Sequence, residues 1–443
     1  MNTLLNQFSV MRSLLRHPDS ARDEIVAFQN RQLRRLITHA YENVPYYRRL
    51  FDRSGLTPND IQSVSDLPAI PITSKKDLQL LPAEEIVARD VNLEHLIVHM
   101  TSGSSGEPFT IRRTRLENYL FGLFRLRNAM RVGLRMRDSQ ANVVLIRPEH
   151  PRSIQLPIKT LRSLGLLRKV EISCLLPPEE IVRRLRNLRP DVLTGLSGVI
   201  SWISQVISDD DRSVIRPRLV LVGGEVLTSL MRMQITKAFA APVLDYYASY
   251  EFGLIAWECK ETGELHTCED SIIIEVLKDG RPAATGERGE VVGTNLHSFA
   301  MPLIRYRLGD IVTKGSETCR CGQQSSTIRA IQGCMIDYFL LPGGRIIHPY
   351  EITVPSLLGA GWIRQYQLIQ EQEDRITLRV VPSTTPTTQE LTRLKQSVIT
   401  VLGQAVEFHV ILVPEIQFEP NGKFRVSRSL VKSAYDGIDW NHS

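Results

Sequence analysis

Four short apolar runs recur in this chain with the same sequel. ANVVLI (residues 141–146), DVLTGL (191–196), RLVLVGGE (218–225) and PVLDYYAS (242–249) each repeat one design, a β-branched or Leu-rich run, then Gly or small residues, then a helical pattern. Such strand–turn–helix repetition predicts an α/β architecture with largely parallel strands. From residue 271 the pattern changes. SIIIEVL, GEVVGTNL and DIVTKG read as strands bounded by Gly, Asp and Asn, with no long helices between them. They predict a β-rich subdomain at about residues 260–333 that completes a large domain spanning 1–333. Residues 334–443 read as a separate small α+β domain, with strands at FLLPGGRIIHP, RITLRVV and AVEFHVILV and a helix, LTRLKQSVITVLG, that stops at Gly403.

Upstream of the repeats, residues 25–51 carry a helical pattern with Leu33, Leu36, Ile37 and Ala40 on one face. NVPYYRRL then brings a proline that interrupts or restarts the helix. IPITSKKDL predicts a turn and a helix start capped by Thr73 or Ser74. The first eighteen residues hold Arg12 and Arg16 within an apolar periodic pattern, which suits an amphipathic helix better than a targeting peptide.

The 443 residues carry a net charge of +6, and no apolar run approaches the length needed to span a bilayer. The basic residues are scattered and lack interleaved aromatics, so neither nucleic acid nor membrane is an expected partner. A positive surface does suit a polyphosphate ligand. Six cysteines in a chain of this size read as metal ligands or core residues, and the expected compartment is the cytoplasm.

HMTSGSSGEP packs Thr101, Ser102, Gly103, Ser104, Ser105 and Gly106 into one loop. Backbone N–H groups and hydroxyls in such a loop can ring phosphate oxygens. The stretch lacks G-x-x-x-x-G-K-[ST], so it is not the standard P-loop. Four further stretches follow in order: GGE (223–225), DYYASYEFG (245–253), PLIRYRLGDIV (302–312) and PNGKFRVSRSL (420–430). Their types and order resemble the adenylate-forming superfamily of acyl-CoA synthetases, peptide-synthetase adenylation domains and luciferases. NVPYYRRLF, PITSKKDL and CRCG give a closer resemblance to its phenylacetate–CoA ligase branch and the capsule-biosynthesis-type relatives. The resemblance runs from about residue 24 to residue 432.

That resemblance implies ATP-dependent activation of an organic, aryl-type acid to an acyl-adenylate, with transfer to the thiol of CoA. A carrier-protein thiol or an amine is the alternative acceptor, and a nucleotide-binding protein without catalysis is the reading from another class. The resemblance implies that residues 101–106 cradle the β- and γ-phosphates and that Gly223, Gly224 and Glu225 line the adenine pocket. It implies that Tyr247 stacks on adenine, Glu251 holds Mg²⁺ and Asp310 accepts both ribose hydroxyls, two carboxylate oxygens matching a vicinal diol. Arg307 is a nucleotide-binding candidate, with Arg305 beside it. Lys423 would serve the first half-reaction, with Ile336 and Asp337 as the pivot of a mobile C-terminal lid. The chain departs from the family pattern at Glu107, where many relatives have Lys, at Ala248, at Tyr250, where a small hydroxyl residue is usual, and at Cys334, where Arg is expected.

Cys259 and His266, seven residues apart, and Cys319 and Cys321 in TCRCG supply three thiolates and an imidazole. That is a closed tetrahedral donor set of the kind that holds structural zinc. Cys268 is the rival ligand to His266. The same spacing occurs in the phenylacetate–CoA ligase branch. The expected cofactors are therefore ATP, Mg²⁺, structural Zn²⁺ and CoA or another thiol, acting in a monomer or homodimer.

Overall fold

The computed structural model describes residues 20–101, 109–144, 146, 162–174, 176, 178–225, 227, 229–334, 339–347, 352, 356–357, 360, 362–382, 384–416 and 427–431. The amphipathic segment expected at the N-terminus lies outside them.

The chain enters through helices α1 (Arg22–Asn43) and α2 (Pro45–Arg53). Leu33, Leu36, Ile37 and Ala40 are fully buried, as their spacing requires. Pro45 restarts the helix: Val44 is extended, and Pro45 takes the first turn, where its missing N–H costs nothing. Ser74 caps the next short helix through a capping box with Asp77. Thr73 is instead buried and donates to Ile304 O at 3.1 Å.

One twelve-stranded sheet organises the large domain. A hairpin of β1 (Ile97–Thr101) and β2 (Phe109–Arg113) stands apart from it, followed by helix α3 (Arg115–Arg131). The parallel half runs β4 (Arg168–Ser173), β3 (Ser139–Val144), β5 (Val192–Leu196), β6 (Leu219–Gly223) and β7 (Val243–Ser249). Helices α4 (Pro178–Leu188), α5 (Ser197–Val206) and α6 (Ser229–Phe239) connect these strands. Ala141, Val143, Leu193, Val220, Val222 and Val243 alternate onto one buried face against Ile200, Ile203 and Ile235.

At β7 the sheet turns antiparallel. It continues through β8 (Gly253–Glu258), β9 (Leu265–Thr267), β14 (Thr327–Cys334), β13 (Tyr306–Lys314), β12 (Arg288–Asn295), β10 (Ile272–Lys278) and β11 (Arg281–Pro282). The β-rich stretch thus belongs to the same sheet as the parallel half, and the three residues of β9 join it to β8, which pairs with β7.

The C-terminal region holds a two-stranded piece, β15 (Phe339–Leu340) and β16 (Ile346–Ile347). Beside it lies a four-stranded sheet in the order β19 (Glu407–Leu412), β18 (Arg375–Pro382), β17 (Ile363–Gln372), β20 (Ser427–Ser429). Helix α7 (Thr388–Leu402) makes the crossover between the parallel strands β18 and β19. Its Leu394, Val398 and Leu402 are buried with Leu378, Val380 and Phe408, each apolar side chain contributing roughly 1.5–3 kcal/mol. Among the described residues, no helix is long and apolar enough to cross a membrane.

Candidate functional site

In open α/β sheets, ligands gather beyond the carboxyl ends of the parallel strands. Here those ends carry the sequence-predicted residues. Strand β6 ends at Gly223, followed by Gly224 and Glu225. A Cβ on Gly223 would run into Tyr246 O and come within 2.8 Å of the Tyr246 ring, so the close approach of β6 to β7 demands glycine. Glu225 Oε2 accepts from the Gly198 N–H at 2.7 Å, and its carbonyl accepts from the Ser197 hydroxyl at 3.2 Å. The carboxylate is thereby fixed at the start of α5.

Strand β7 carries Tyr247, which is buried, and the turn that follows presents Tyr250 and Glu251. The Tyr247 hydroxyl donates to Asp310 Oδ2 at 2.5 Å. Asp310 lies on β13, in a stretch where pairing with β14 shifts register and Gly309 takes a positive φ of 89°. The residues expected at adenine and at ribose are therefore directly bonded. Tyr250 is 40% exposed, with its ring 6.2 Å from that of His99. A large phenol thus stands where relatives of the expected family place a small hydroxyl.

The two arginines flanking Tyr306 differ. Arg305 is buried, ion-paired to Glu275 at 2.8 Å, and donates to Pro68 O and Ile70 O. It is committed to holding the segment before Thr73 against the sheet. Arg307 is half-exposed and paired with Glu290 at 2.8 Å. Thr101 ends strand β1, opposite Phe109. Ser102, Gly103, Ser104, Ser105, Gly106 and Glu107 lie outside the described residues, as do Ile336, Asp337 and Lys423. Cys334 ends β14, paired in register with Asp310.

Sequence reasoning missed Arg113. It is buried at the end of β2, and its guanidinium donates to the Tyr250 and Glu251 carbonyls, the latter at 3.1 Å. Its only signal was a basic residue just after the hydroxyl-rich loop.

The cysteines converge as their spacing implied. One donor atom each from Cys259, His266, Cys319 and Cys321 fall within 4.8 Å of one another. Zn–S near 2.3 Å and Zn–N near 2.05 Å in a tetrahedron imply edges of about 3.8 Å (S···S) and about 3.5 Å (S···N). Cys259 Sγ and Cys319 Sγ are 3.9 Å apart, and Cys321 Sγ and His266 Nε2 are 3.4 Å apart. His266 Nδ1 is hydrogen-bonded to Ser325 Oγ at 3.1 Å, which turns Nε2 toward the sulfurs. Gly322, with φ +92°, closes the turn that brings Cys319 and Cys321 together. The donor set fits zinc. Cys268, by contrast, is buried and accepts from Asn128 Nδ2 at 3.2 Å, outside the cluster.

A CapK C-terminal domain family model matches residues 341–429. A phenylacetate-coenzyme A ligase of Thermus thermophilus is 26% identical over 376 residues, covering 80% of this chain and 79% of that protein. The Staphylococcus aureus protein CapK is 24% identical over 426 residues, covering 93% of this chain and 90% of that one. Among solved structures, a 2-hydroxyisobutyryl-CoA ligase in its postadenylation state superposes with a TM-score of 0.67 at 22% identity, covering 90% of this chain and 88% of the other. That last likeness is one of fold: the chain folds as that CoA ligase does. The likenesses of sequence are to phenylacetate–CoA ligases and to CapK.

Proposed function

We propose that the protein is an AMP-forming acid–CoA ligase. A substrate carboxylate oxygen attacks the α-phosphate of ATP, a P–O bond forms, and pyrophosphate leaves. The CoA sulfur then attacks the acyl carbon and AMP leaves. The observation that carries this reading is the Tyr247–Asp310 hydrogen bond, which unites two motifs from different strands beside Gly223 and Glu251. In the proposed complex Tyr247 stacks on adenine, Asp310 holds the ribose, and residues 101–106 receive the β- and γ-phosphates. Arg307, three residues before Asp310, is the basic group on that strand assigned to the nucleotide.

Such a reaction is promoted mainly by positioning and charge neutralisation. Glu251 would hold Mg²⁺, and Lys423 would reach the α-phosphate when the C-terminal domain closes about Ile336 and Asp337. An aryl acid is the proposed substrate class and CoA the proposed acceptor. Zinc would be held by Cys259, His266, Cys319 and Cys321. With no open position it would supply rigidity, joining the β8–β9 turn to the β13–β14 loop.

ATP–pyrophosphate exchange over a panel of aryl and aliphatic acids tests the first half-reaction, and acceptor assays with CoA, carrier protein and amines test the second. Exchange with none of the acids would refute adenylation, and exchange without thioester formation on CoA would move the acceptor to one of the others.

A further inference from the structure

Three pieces of the proposed nucleotide site come from distant parts of the sequence, and a set of buried contacts ties them together. Phe109, the first residue of β2, stacks on Tyr306 with ring centroids 6.0 Å apart and planes 11° apart. Tyr306 meets Phe252 edge-on, also at 6.0 Å. These rings join the hairpin that leads out of the loop, the strand that carries Asp310 and the residue after Glu251. They are apolar, so they set spacing without fixing the direction of the turn at Tyr250 and Glu251.

Arg113 supplies direction. It lies four residues beyond Phe109 on β2, is 4% exposed, and donates to two consecutive carbonyls of that turn. The Phe121 ring lies 3.9 Å from its guanidinium carbon and orients the plane. Gly253 leaves room for that ring, since a Cβ there would collide with Phe121. Burial lowers the Arg113 pKa to about 10, and the nearby Glu117 and Glu251 carboxylates act against that fall, so the group stays charged at neutral pH. A buried cation whose hydrogen bonds go to carbonyls leaves the Glu251 carboxylate available, and one terminal nitrogen that donates to both adjacent carbonyls restrains the rotation of the peptide between them.

We propose that Arg113 is a positioning residue for the metal–nucleotide site: it clamps the Tyr250–Glu251 turn to the strand leaving the loop 101–106 and thereby sets where the Glu251 carboxylate stands. The proposal rests on the reading that Glu251 holds Mg²⁺ beside the ATP phosphates. It also gives the chain, which has Glu107 and Cys334 at two places where a basic residue is expected, a fixed cation behind the metal ligand.

The test uses the full-length protein with Arg113→Gln and Arg113→Lys, and with Phe121→Leu as the milder variant should Arg113→Gln fail to fold. Affinity for ATP is measured by calorimetry with Mg²⁺ and with EDTA, alongside the Mg²⁺ dependence of pyrophosphate exchange and the thermal midpoint. Arg113→Gln is expected to weaken MgATP binding about tenfold or more, the scale for losing hydrogen bonds from a charged donor, and to leave metal-free ATP binding and the KM for the acid within twofold. Arg113→Lys should recover most of the loss, and Phe121→Leu should move the Mg²⁺ dependence in the same direction. An unchanged ratio of MgATP to metal-free affinity, with only the thermal midpoint lowered, would overturn the proposal and leave Arg113 a fold residue. If the wild-type protein showed no preference for MgATP over metal-free ATP, the reading of Glu251 would fall first and this proposal with it.

Discussion

The Tyr247 hydroxyl bonds the Asp310 carboxylate across 63 residues of sequence. The contact joins the last parallel strand, β7, to β13 in the antiparallel half, so the two halves of the sheet meet at the proposed nucleoside. Asp310→Ala should weaken ATP binding by roughly 1.5–3 kcal/mol, the scale for hydrogen bonds to a charged group. Tyr247→Phe keeps the ring and loses one donor, so it should cost only about 0.5–1.5 kcal/mol. Calorimetric titration with ATP distinguishes the two. Equal losses would mean that Tyr247 acts mainly by orienting Asp310, and unchanged affinity in Asp310→Ala would place the ribose elsewhere.

Purified protein should contain about one zinc per chain. Cys319→Ser should lose it and lower the thermal midpoint, because the cluster pins the β13–β14 loop to strand β9, whose three residues join β14 to β8 in the sheet. Cys268→Ser should keep the zinc, since its sulfur faces Asn128. Elemental analysis of both variants checks this, and zinc-free, fully folded wild type would refute it.

Legibility followed the strength of the local pattern. Four of the five parallel strands, β3, β5, β6 and β7, were evident because their apolar runs are continuous, as burial on both faces requires, whereas the edge strand β4, RKVEIS, alternates charged and apolar residues and was missed. Strand β17, IRQYQLIQEQ, was missed because glutamines interleave its apolar residues. Strand β9 is too short to carry a pattern and exists through its pairing with β8 and β14. In the candidate site, Tyr247, Asp310 and the cysteine–histidine set were singled out because their neighbours form recognisable motifs. The Tyr247–Asp310 bond itself was not, since it depends on how distant strands are ordered in the sheet. Arg113 looked like any basic residue in FTIRRT until folding buried it against the Glu251 turn.

A half-buried carboxyl on β7 makes stability depend on pH. Asp245, on β7, has its pKa raised to about 7, first by burial and then by the neighbouring Glu258 carboxylate, with Arg232 acting against both. Glu258 accepts from the Asp245 N–H at 2.7 Å and from Arg232 at 2.8 Å. Because the folded pKa lies above the unfolded one, the native state holds the extra proton between about pH 4 and pH 7. The resulting stabilisation is full below pH 4 and is lost as pH rises through 7, at up to roughly 1.4 kcal/mol per pH unit for one proton. Asp245→Asn removes that proton from the balance. Denaturant unfolding should show the variant gaining on wild type from pH 4 to pH 7, with the gap constant above that. Parallel curves for the two proteins would show that Asp245 ionises in the fold as it does in the unfolded chain.

The last test concerns Lys423, in Pro-Asn-Gly-Lys-Phe-Arg near the end of the C-terminal domain. During adenylation, negative charge collects on the attacking carboxylate, the α-phosphate and the departing pyrophosphate. A long ammonium side chain following an Asn–Gly pair can bridge these groups once the domain closes, and withdraw when it turns to admit the thiol. The step expected to depend on Lys423 is therefore the first. Lys423→Ala should slow acyl-adenylate formation about 10²–10³-fold, the scale for removing one donor that stabilises charge in the transition state. Conversion of a chemically supplied acyl-adenylate and CoA to thioester should change far less, because the charge on pyrophosphate is absent from that step. Single-turnover measurements of the two half-reactions separate these outcomes. Equal damage to both would assign Lys423 to the closure of the domain itself, and an unimpaired first step would remove it from catalysis.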